Sequence, residues 1–296
     1  MNKGTWYALA AYVLWGMLPV YWKLLQHIPA PELLGHRIVW SFVCLALVLW
    51  LGQGWSRIHS ALRNLKTLVW YIAAAALIAV NWLTYIWSVN AGFIVETSLG
   101  YFINPLLSVA MGVVFLRERL RRWQWIAIGL AGAGVLYLTF VHGSLPWIAL
   151  TLAVTFSCYG LVKKIAPLGS LDGLTLETGI LFVPALAWLL FEESTGSGAF
   201  PHAGALTVIL LIGAGPVTSV PLLLFALAAQ RIPLSVVGIL QYIAPTMQFL
   251  LGVLVYHEPF TTTRLIGFGI VWVALIIYTA EGITVYRARN RVLARK

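Results

Sequence analysis

Several side chains that could bind a ligand lie inside long apolar segments, where a polar group needs a partner. In one segment Thr97, Tyr101, Asn104 and Ser108 recur at steps of 4, 3 and 4 residues, which places them on one face of a helix. Pro105 interrupts this stripe and leaves the Tyr101 carbonyl without its usual amide donor. Free carbonyls beside amide side chains can bind a small polar molecule, so the pattern predicts a binding site within the apolar region.

A later segment repeats this arrangement. Gln241 and Gln248 bracket Pro245 on one helix face, and Pro245 frees the Gln241 carbonyl in the same way. The two prolines are therefore the predicted hinges, and the same binding site is predicted to include Trp15, Asn81, Tyr85, Tyr159 and Tyr242. The alternative interpretation is ordinary hydrogen bonding between helices with a packing kink.

Few ionisable residues lie in or beside these segments. Glu96 precedes the polar stripe and is the first candidate for proton coupling or cation binding; the alternative is a first-turn glutamate favoured by the helix dipole. Arg37 and Glu177 are related by a shift of 140 residues. Because lone charges at this depth need partners, we expect either an Arg37–Glu177 ion pair or separate polar partners. Structural roles are expected for Glu118 and Glu258.

The composition determines which elements hold these residues. Of 296 residues, 61% are hydrophobic and only 9% are charged, whereas an ordinary soluble domain carries roughly 25% charged residues. A chain of this length cannot hide so much apolar surface in its own core, which excludes a soluble enzyme. Cys44 and Cys158 lie inside apolar segments and predict neither a disulfide framework nor a metal site, and the sequence indicates no cofactor.

The apolar residues form ten segments, each near the ~20 residues that a helix needs to cross a membrane. They are 4–23, 33–51, 68–89, 94–116, 124–141, 146–163, 174–191, 205–228, 235–256 and 265–283. The fold class predicted is an all-α polytopic membrane protein with ten transmembrane helices. Residues 53–66 predict a short amphipathic helix on the inner surface.

The basic residues predict the orientation of the chain. With the N-terminus in the cytoplasm, 16 of the 19 lysines and arginines fall on the inner side, and the outer segment 192–204 is acidic. Both termini are thus predicted to be cytoplasmic. The cluster at 117–122 is explained as an orientation signal, so no nucleic-acid binding is predicted.

An internal repeat divides the chain. Pro105, Gly112 and Glu118 recur 140 residues later, in the same order. Each half holds five segments, and an odd number requires the second copy to enter the membrane inverted, an arrangement typical of secondary transporters. The predicted units are an N-terminal five-helix repeat at 1–143, a C-terminal repeat at 144–283 and a basic cytoplasmic tail at 284–296.

Several runs carry a resemblance to a known family. The most specific are SLGYFINP at 98–105 and QYIAPT at 241–246, and HRIVWSF at 36–42 adds to them. In these runs the chain closely resembles the RarD family of chloramphenicol-sensitivity proteins, within the EamA-type branch of the drug/metabolite transporters. The resemblance implies ten helices in two inverted halves, a bacterial inner membrane location and export of a small molecule. Small multidrug pumps of the same superfamily carry a glutamate in their first helix, and this chain has none there.

The leading prediction is a secondary active transporter, not an enzyme, that exports a small amphipathic or aromatic molecule by alternating access. A chloramphenicol-like drug or a metabolite fits this description. No GxxxxGK[ST] run is present, so ATP does not drive it directly. The expected partners are the small-molecule substrate, membrane lipid and, as a candidate, protons, with the chain a monomer or homodimer.

The alternative functions are an intramembrane enzyme and a protein that modifies or flips lipids. An enzyme would need convergent acids, bases or metal ligands at one depth. The sequence contains no HExxH motif and no paired aspartates, and His36 is the one histidine well inside an apolar segment. A receptor or scaffold is a third alternative, but it would not require duplicated kinks.

Overall fold

The computed structural model of the protein describes residues 2–52, 54–91, 93–142, 147–200, 202–256 and 262–293, some of them by their backbone only. This part of the chain forms helices and connecting turns. The helices are α1 (Lys3–Leu24), α2 (Ala30–Leu51), α3 (Trp55–Arg63), α4 (Leu65–Asn90), α5 (Ile94–Val114), α6 (Arg122–His142), α7 (Trp147–Ile165), α8 (Ser170–Ser194), α9 (Ala205–Ala229), α10 (Leu234–Gln241), α11 (Ile243–Leu254) and α12 (Thr262–Leu293).

Helices occupy all ten predicted apolar segments, and the ninth segment is divided between α10 and α11. Among the described residues, seven helical stretches are long and apolar enough to cross a membrane: Ala30–Leu51, Leu65–Ser88, Trp147–Ile165, Ser170–Ser194, Ala205–Ala229, Leu234–Leu254 and Leu265–Gly282. An all-helical fold with several membrane-spanning helices is therefore observed, whereas the number ten stays a prediction. The amphipathic helix predicted within 53–66 is α3.

Large apolar side chains cover much of the outer surface of the bundle. Phe140 is 81% exposed and Ile276 is 68% exposed. A soluble monomer rarely exposes apolar surface on this scale. Contact with lipid tails explains the exposure, because a bilayer solvates such side chains favourably.

Helices of the first half pack against their equivalents in the second half. α2 packs on α8, α5 on α10 and α6 on α12, and in each pair the two helices are equivalent members of the predicted repeats. Two further contacts have counterparts in the other half, since α1 packs on α9 as α7 packs on α4, and α1 packs on α11 as α7 packs on α5. These paired contacts are the ones expected of a bundle whose two similar halves are related by two-fold pseudo-symmetry.

The core that positions the site is aromatic at its centre. Tyr12, Tyr159 and Phe225 join α1, α7 and α9 in the largest buried cluster, and the Tyr159 and Phe225 rings stack with centroids 6.1 Å apart. Gly215 of α9 lies directly against the backbone of Trp40 in α2. A small residue at this contact lets the two helix backbones approach closely.

Candidate functional site

A cavity of about 590 Å³ lies among α1, α2, α4, α5, α7, α9, α10 and α11. Its volume is in the range typical of small-molecule sites, roughly 300–1,000 Å³. Helices of both halves form its walls. The sequence-predicted residues that line it are Trp15, Arg37, Asn81, Tyr85, Tyr101, Asn104, Gln241, Pro245 and Gln248.

Two predicted substrate-binding residues lie outside the lining. Tyr159 is 0% exposed and Tyr242 is 1% exposed. The Tyr159 hydroxyl donates to Glu177 Oε2 at 3.1 Å, and the Tyr242 hydroxyl donates to the Phe102 carbonyl at 3.1 Å. Both rings therefore pack in the core in this structure, and direct substrate binding by them stays a prediction. For Tyr242 the reason is helix geometry, because adjacent residues point about 100° apart and Gln241 already faces the cavity.

Arg37 and Glu177 do not form an ion pair. Each lies eight residues into its helix, α2 and α8, and these helices run in opposite directions, since Leu34 packs near Leu189 whereas Leu49 packs near Leu176. The two charges consequently lie at opposite ends of the bundle. This arrangement is the second of the two alternatives, in which each charge has its own partners.

Glu177 belongs to a buried cluster away from the cavity. Its Oε1 accepts a hydrogen bond from Lys163 Nζ at 2.7 Å, and both side chains are 2% exposed. Its Oε2 accepts from the Tyr159 hydroxyl. A charge pair buried in this way is tolerated because each carboxylate oxygen is hydrogen-bonded. Removing either Lys163 or Glu177 would leave the other buried without a counter-charge.

Arg37 faces the cavity and is held by neutral groups. Its Nε donates to Thr218 Oγ1 at 3.1 Å. The guanidinium carbon lies 4.8 Å from the Trp22 ring centre and 5.0 Å from that of Trp82. The free energy of inserting a cation at the centre of a membrane helix is unfavourable by roughly 2.5–3.5 kcal/mol on insertion scales. Each cation–π contact offsets roughly 0.5–2 kcal/mol of this cost.

Two of the cavity amides, Asn81 and Gln248, are each anchored through the side-chain nitrogen. Asn81 Nδ2 donates to the Leu152 carbonyl at 2.8 Å, and Gln248 Nε2 donates to the Trp15 carbonyl at 3.1 Å. The carbonyl oxygens of these two side chains accept no bond from any side chain or backbone group that the structure describes. Gln241 Oε1 is likewise buried without a described partner. These anchored amides can hydrogen-bond a ligand without first becoming ordered.

The polar stripe of α5 divides into two parts. Tyr101 and Asn104 line the cavity, and Asn104 Oδ1 accepts a hydrogen bond from Ser157 at 2.8 Å. Ser108 and Thr97 instead bond neighbouring helical residues, Ser108 to Ser157 at 3.3 Å and Thr97 to Ser88 at 2.7 Å. The helix–helix interpretation thus holds for the ends of the stripe, and the cavity interpretation holds for its middle.

The cavity opens at one end of the bundle, here called the mouth and marked by Lys23, Gln26 and Tyr256. Lys23 and Gln26 are exposed and belong to the lining. Only the half of α1 from Tyr12 onward contributes to the described lining. Lys23 lies 19 residues beyond Gly4, a helix length of about 28 Å.

The opposite end, here called the sealed end, is closed by a carboxylate at a helix N-terminus. Glu118 Oε2 accepts from the backbone amide of Ser235 at 2.9 Å and from its hydroxyl at 2.6 Å, and Oε1 accepts from the Leu234 amide at 2.6 Å. The first amides of a helix have no intrahelical acceptor, so Glu118 satisfies two of them in α10. Lys164 Nζ also donates to the Ile232 carbonyl at 2.6 Å.

The two predicted hinge prolines differ in their surroundings. α5 continues through Pro105 as one helix, whereas α10 ends and α11 begins around Tyr242, three residues before Pro245. The Pro105 carbonyl lies against Gly238 at the crossing of α5 and α10, where an added Cβ would approach it to 2.7 Å. A hinge role for either proline stays a prediction.

Two predicted acidic positions cannot be placed. The side chain of Glu96 and the whole of Glu258 lie outside the described residues. Their roles in coupling and capping stay predictions.

Sequence reasoning missed three residues around Arg37, namely Trp22, Trp82 and Thr218. Trp82 follows Asn81 directly, and its position well inside an apolar segment was the available signal. Thr218 lies between Pro216 and Pro221 in an otherwise apolar helix, which was also a signal for a functional polar residue.

Comparison with known proteins places the chain in a family. The model of the EamA-like transporter family matches residues 2–140 and again 145–280. Protein RarD of Streptomyces exfoliatus is 47% identical over 294 residues, 99% of this chain and 93% of the relative. The uncharacterized transporter YojE of Bacillus subtilis is 47% identical over 290 residues, 97% of each chain. Protein RarD of Escherichia coli is 41% identical over 291 residues, 98% of each chain.

A solved crystal structure shares the fold at 16% sequence identity. It superposes with a TM-score of 0.69 and covers 95% of this chain and 98% of that chain. The fold is therefore one that a distant sequence also adopts. From the family match along both halves and these relatives, the chain belongs to the EamA-like transporter family, in the branch of the RarD proteins.

Proposed function

We propose that this protein is a secondary active transporter of the bacterial inner membrane that exports a small amphipathic or aromatic molecule. The observation that carries this proposal is the cavity. It is lined by helices of both halves, reaches the surface at the mouth and is blocked at the sealed end. A ligand site with access from one side is what alternating access requires of one of its two states.

The repeat supports alternating access. The family model matches each half separately, and the most extensive helix contacts have counterparts when the halves are exchanged. Two similar halves of opposite orientation can exchange conformations, so a structure open at one end implies a counterpart open at the other. The separate family matches and the equivalent helix contacts support our proposal of two inverted five-helix repeats.

The charge distribution supports an assignment of the two ends. Lys163, Lys164 and Arg231 lie at the sealed end, near Glu118 and the start of α10. Excess lysine and arginine marks the cytoplasmic side of membrane proteins. The sealed end is therefore proposed to face the cytoplasm and the mouth to face the outside, with both termini cytoplasmic.

The cavity chemistry favours transport over intramembrane catalysis. The lining that the structure describes contains aromatic, amide and two cationic side chains, and in that part of it there is no carboxylate, imidazole or thiol. Such a wall can bind and orient a molecule, but its described part lacks the histidine and carboxylate side chains that commonly carry out general acid–base catalysis. We therefore propose a transporter, not an enzyme.

The test is counterflow by the purified full-length protein in liposomes, with labelled chloramphenicol and labelled 3-phenylpropionate as probes. We expect Asn104→Ala and Gln241→Ala each to raise the half-saturating concentration of the transported probe about 10-fold, because each variant loses an oriented hydrogen bond. Ser41→Ala is the matched control, because it removes a buried hydrogen bond to the Gly215 carbonyl away from the cavity. Unchanged affinity in both cavity variants would show that the central site is wrong.

Proton coupling through Glu96 is a separate proposal. In the same liposomes an imposed pH gradient should drive accumulation of the probe by the unmodified protein. Glu96→Gln should abolish that response while exchange at equal pH continues. A pH response that survives in Glu96→Gln would remove Glu96 from the coupling step.

A further inference from the structure

Arg37 carries an unfilled set of hydrogen-bond donors into the cavity. Its Nε is bonded to Thr218, but its two terminal nitrogens form no hydrogen bond or ion pair with any residue that the structure describes. The side chain is partly exposed and belongs to the lining. A ligand in the cavity can therefore reach these donors.

The acids that the structure describes at buried or partly buried positions have other partners than Arg37. Glu32 accepts from the Ala199 and Phe200 amides, and Glu118 accepts from the start of α10. Asp172 pairs with Arg57, Glu177 with Lys163 and Glu281 with Arg121. None of these acids lines the cavity. The guanidinium charge therefore has no counter-charge among the acids whose side chains the structure describes.

A second cation reinforces this charge. Lys23 Nζ lies at the mouth, 3.7 Å from the centre of the Tyr256 ring. The described lining thus carries two positive groups and no negative one. Walls of low dielectric constant concentrate such a field within a cleft, which attracts anions and repels cations.

The aromatic walls hold Arg37 and leave ring surfaces for a ligand. Trp22 and Trp82 hold the guanidinium between them. Tyr85 and Tyr101 line the cavity with ring centroids 6.1 Å apart in an edge-on arrangement, and Trp15 adds a further face. Aromatic surfaces of this kind pack favourably against a planar ligand.

We propose, on the basis of the transport function above, that the cavity selects a small aromatic carboxylate. The carboxylate binds the terminal nitrogens of Arg37, and the ring packs among Trp15, Tyr85 and Tyr101. The planar guanidinium fork matches the two oxygens of a carboxylate. The Arg37 guanidinium and one exposed lysine match a single negative charge better than the double charge of a phosphate group.

The direct test compares three probes that differ only in charge. The purified full-length protein is titrated in detergent with 3-phenylpropionate, 3-phenylpropionamide and 3-phenylpropylammonium, and binding is followed by tryptophan fluorescence and by thermal shift. The carboxylate should bind about 10- to 100-fold more tightly than the amide, and the ammonium compound should bind most weakly. Inorganic phosphate should not compete with the carboxylate at equal concentration.

Variants assign the preference to Arg37. Arg37→Lys keeps the charge but loses the fork, and should weaken carboxylate binding about 10-fold with little effect on the amide. Thr218→Val removes the acceptor that orients Nε and should weaken carboxylate binding severalfold. Arg231→Gln is the matched control, because this arginine is exposed outside the lining and bonds only the Leu227 carbonyl and the Tyr7 ring among described groups.

The outcomes separate this inference from the transport function. If the amide or the ammonium compound binds as tightly as the carboxylate, if phosphate competes equally, or if no probe binds, charge selection by Arg37 is wrong. Counterflow of the neutral chloramphenicol that is sensitive to Asn104→Ala would in those cases still support transport. If the carboxylate preference is present but neither probe undergoes counterflow, the transport function fails and the anion site stands.

Discussion

Glu118 and Ser235 join the two halves of the chain at the sealed end of the cavity. The Glu118 carboxylate accepts two hydrogen bonds from Ser235, from its amide at 2.9 Å and from its hydroxyl at 2.6 Å. Glu118 follows α5 in the first half, and Ser235 is the second residue of α10 in the second half. Any movement that opens this end must break these bonds or carry both groups together.

The first prediction concerns this contact. Glu118→Ala removes a capping carboxylate worth about 1–2 kcal/mol, which corresponds to a roughly 5- to 30-fold gain in the population open at the sealed end. A Ser108→Cys reporter, in a background with Cys44 and Cys158 replaced by serine, should then react faster with an impermeant maleimide applied from that side. Ser108 is suitable because it is buried.

The control for this measurement is Glu193→Gln, a change of an exposed glutamate outside the described ion pairs. Its labelling rate should equal that of the reporter alone. Equal rates for Glu118→Ala and the reporter alone would mean that the contact does not hold the sealed end closed.

The buried pair of Lys163 and Glu177 gives a second prediction. Glu177→Gln leaves the buried Lys163 ammonium without its counter-charge, and it should lower the stability of the protein in detergent by about 3–5 kcal/mol. The double variant Lys163→Met with Glu177→Gln should recover much of this loss, because neither charge then remains buried. Thermal unfolding measures both. A single variant as stable as the unmodified protein would contradict the geometry described for this cluster.

The crossing of α5 and α10 gives a third prediction. At Gly238 an added Cβ would lie 2.7 Å from the Pro105 carbonyl, so Gly238→Ala should force the helices apart and cost about 1–3 kcal/mol. At Gly129 an added Cβ meets nothing within 4 Å. Gly129→Ala should therefore be neutral or stabilise α6 by up to about 1 kcal/mol. Thermal unfolding of the two variants, measured in parallel, tests this prediction. Equal changes in stability for Gly238→Ala and Gly129→Ala would refute the close contact at Gly238.

A fourth prediction concerns the attachment of α3. The Arg57 guanidinium makes a two-pronged contact with Asp172, at 2.7 and 3.0 Å, and the hydrogen bonds raise the pKa of Arg57. Asp172→Asn should loosen α3, with severalfold faster amide hydrogen exchange in residues 55–63 and little change in α9. Ile58 and Ala61 remain buried and retain part of the attachment. Unchanged exchange in α3 would show that these apolar contacts hold it without the ion pair.

The sequence was enough to predict the helices and nine of the residues that line the cavity. The apolar segments marked where helices form, because a membrane admits only segments that satisfy their own backbone hydrogen bonds. Asn81, Tyr101, Asn104, Gln241 and Gln248 stood out because polar groups are costly in such segments. The common face of Tyr101 and Asn104 follows from helical periodicity, which a sequence displays directly.

The tertiary structure decided which partner each charged residue has and which end of the cavity is closed. A shift of 140 residues related Arg37 to Glu177, but only the antiparallel packing of α2 and α8 shows that the two lie at opposite ends. Likewise, Tyr242 adjoins Gln241 in sequence yet belongs to the core. Contacts between residues far apart in the chain depend on the depth and rotation of each helix, and helix packing sets both.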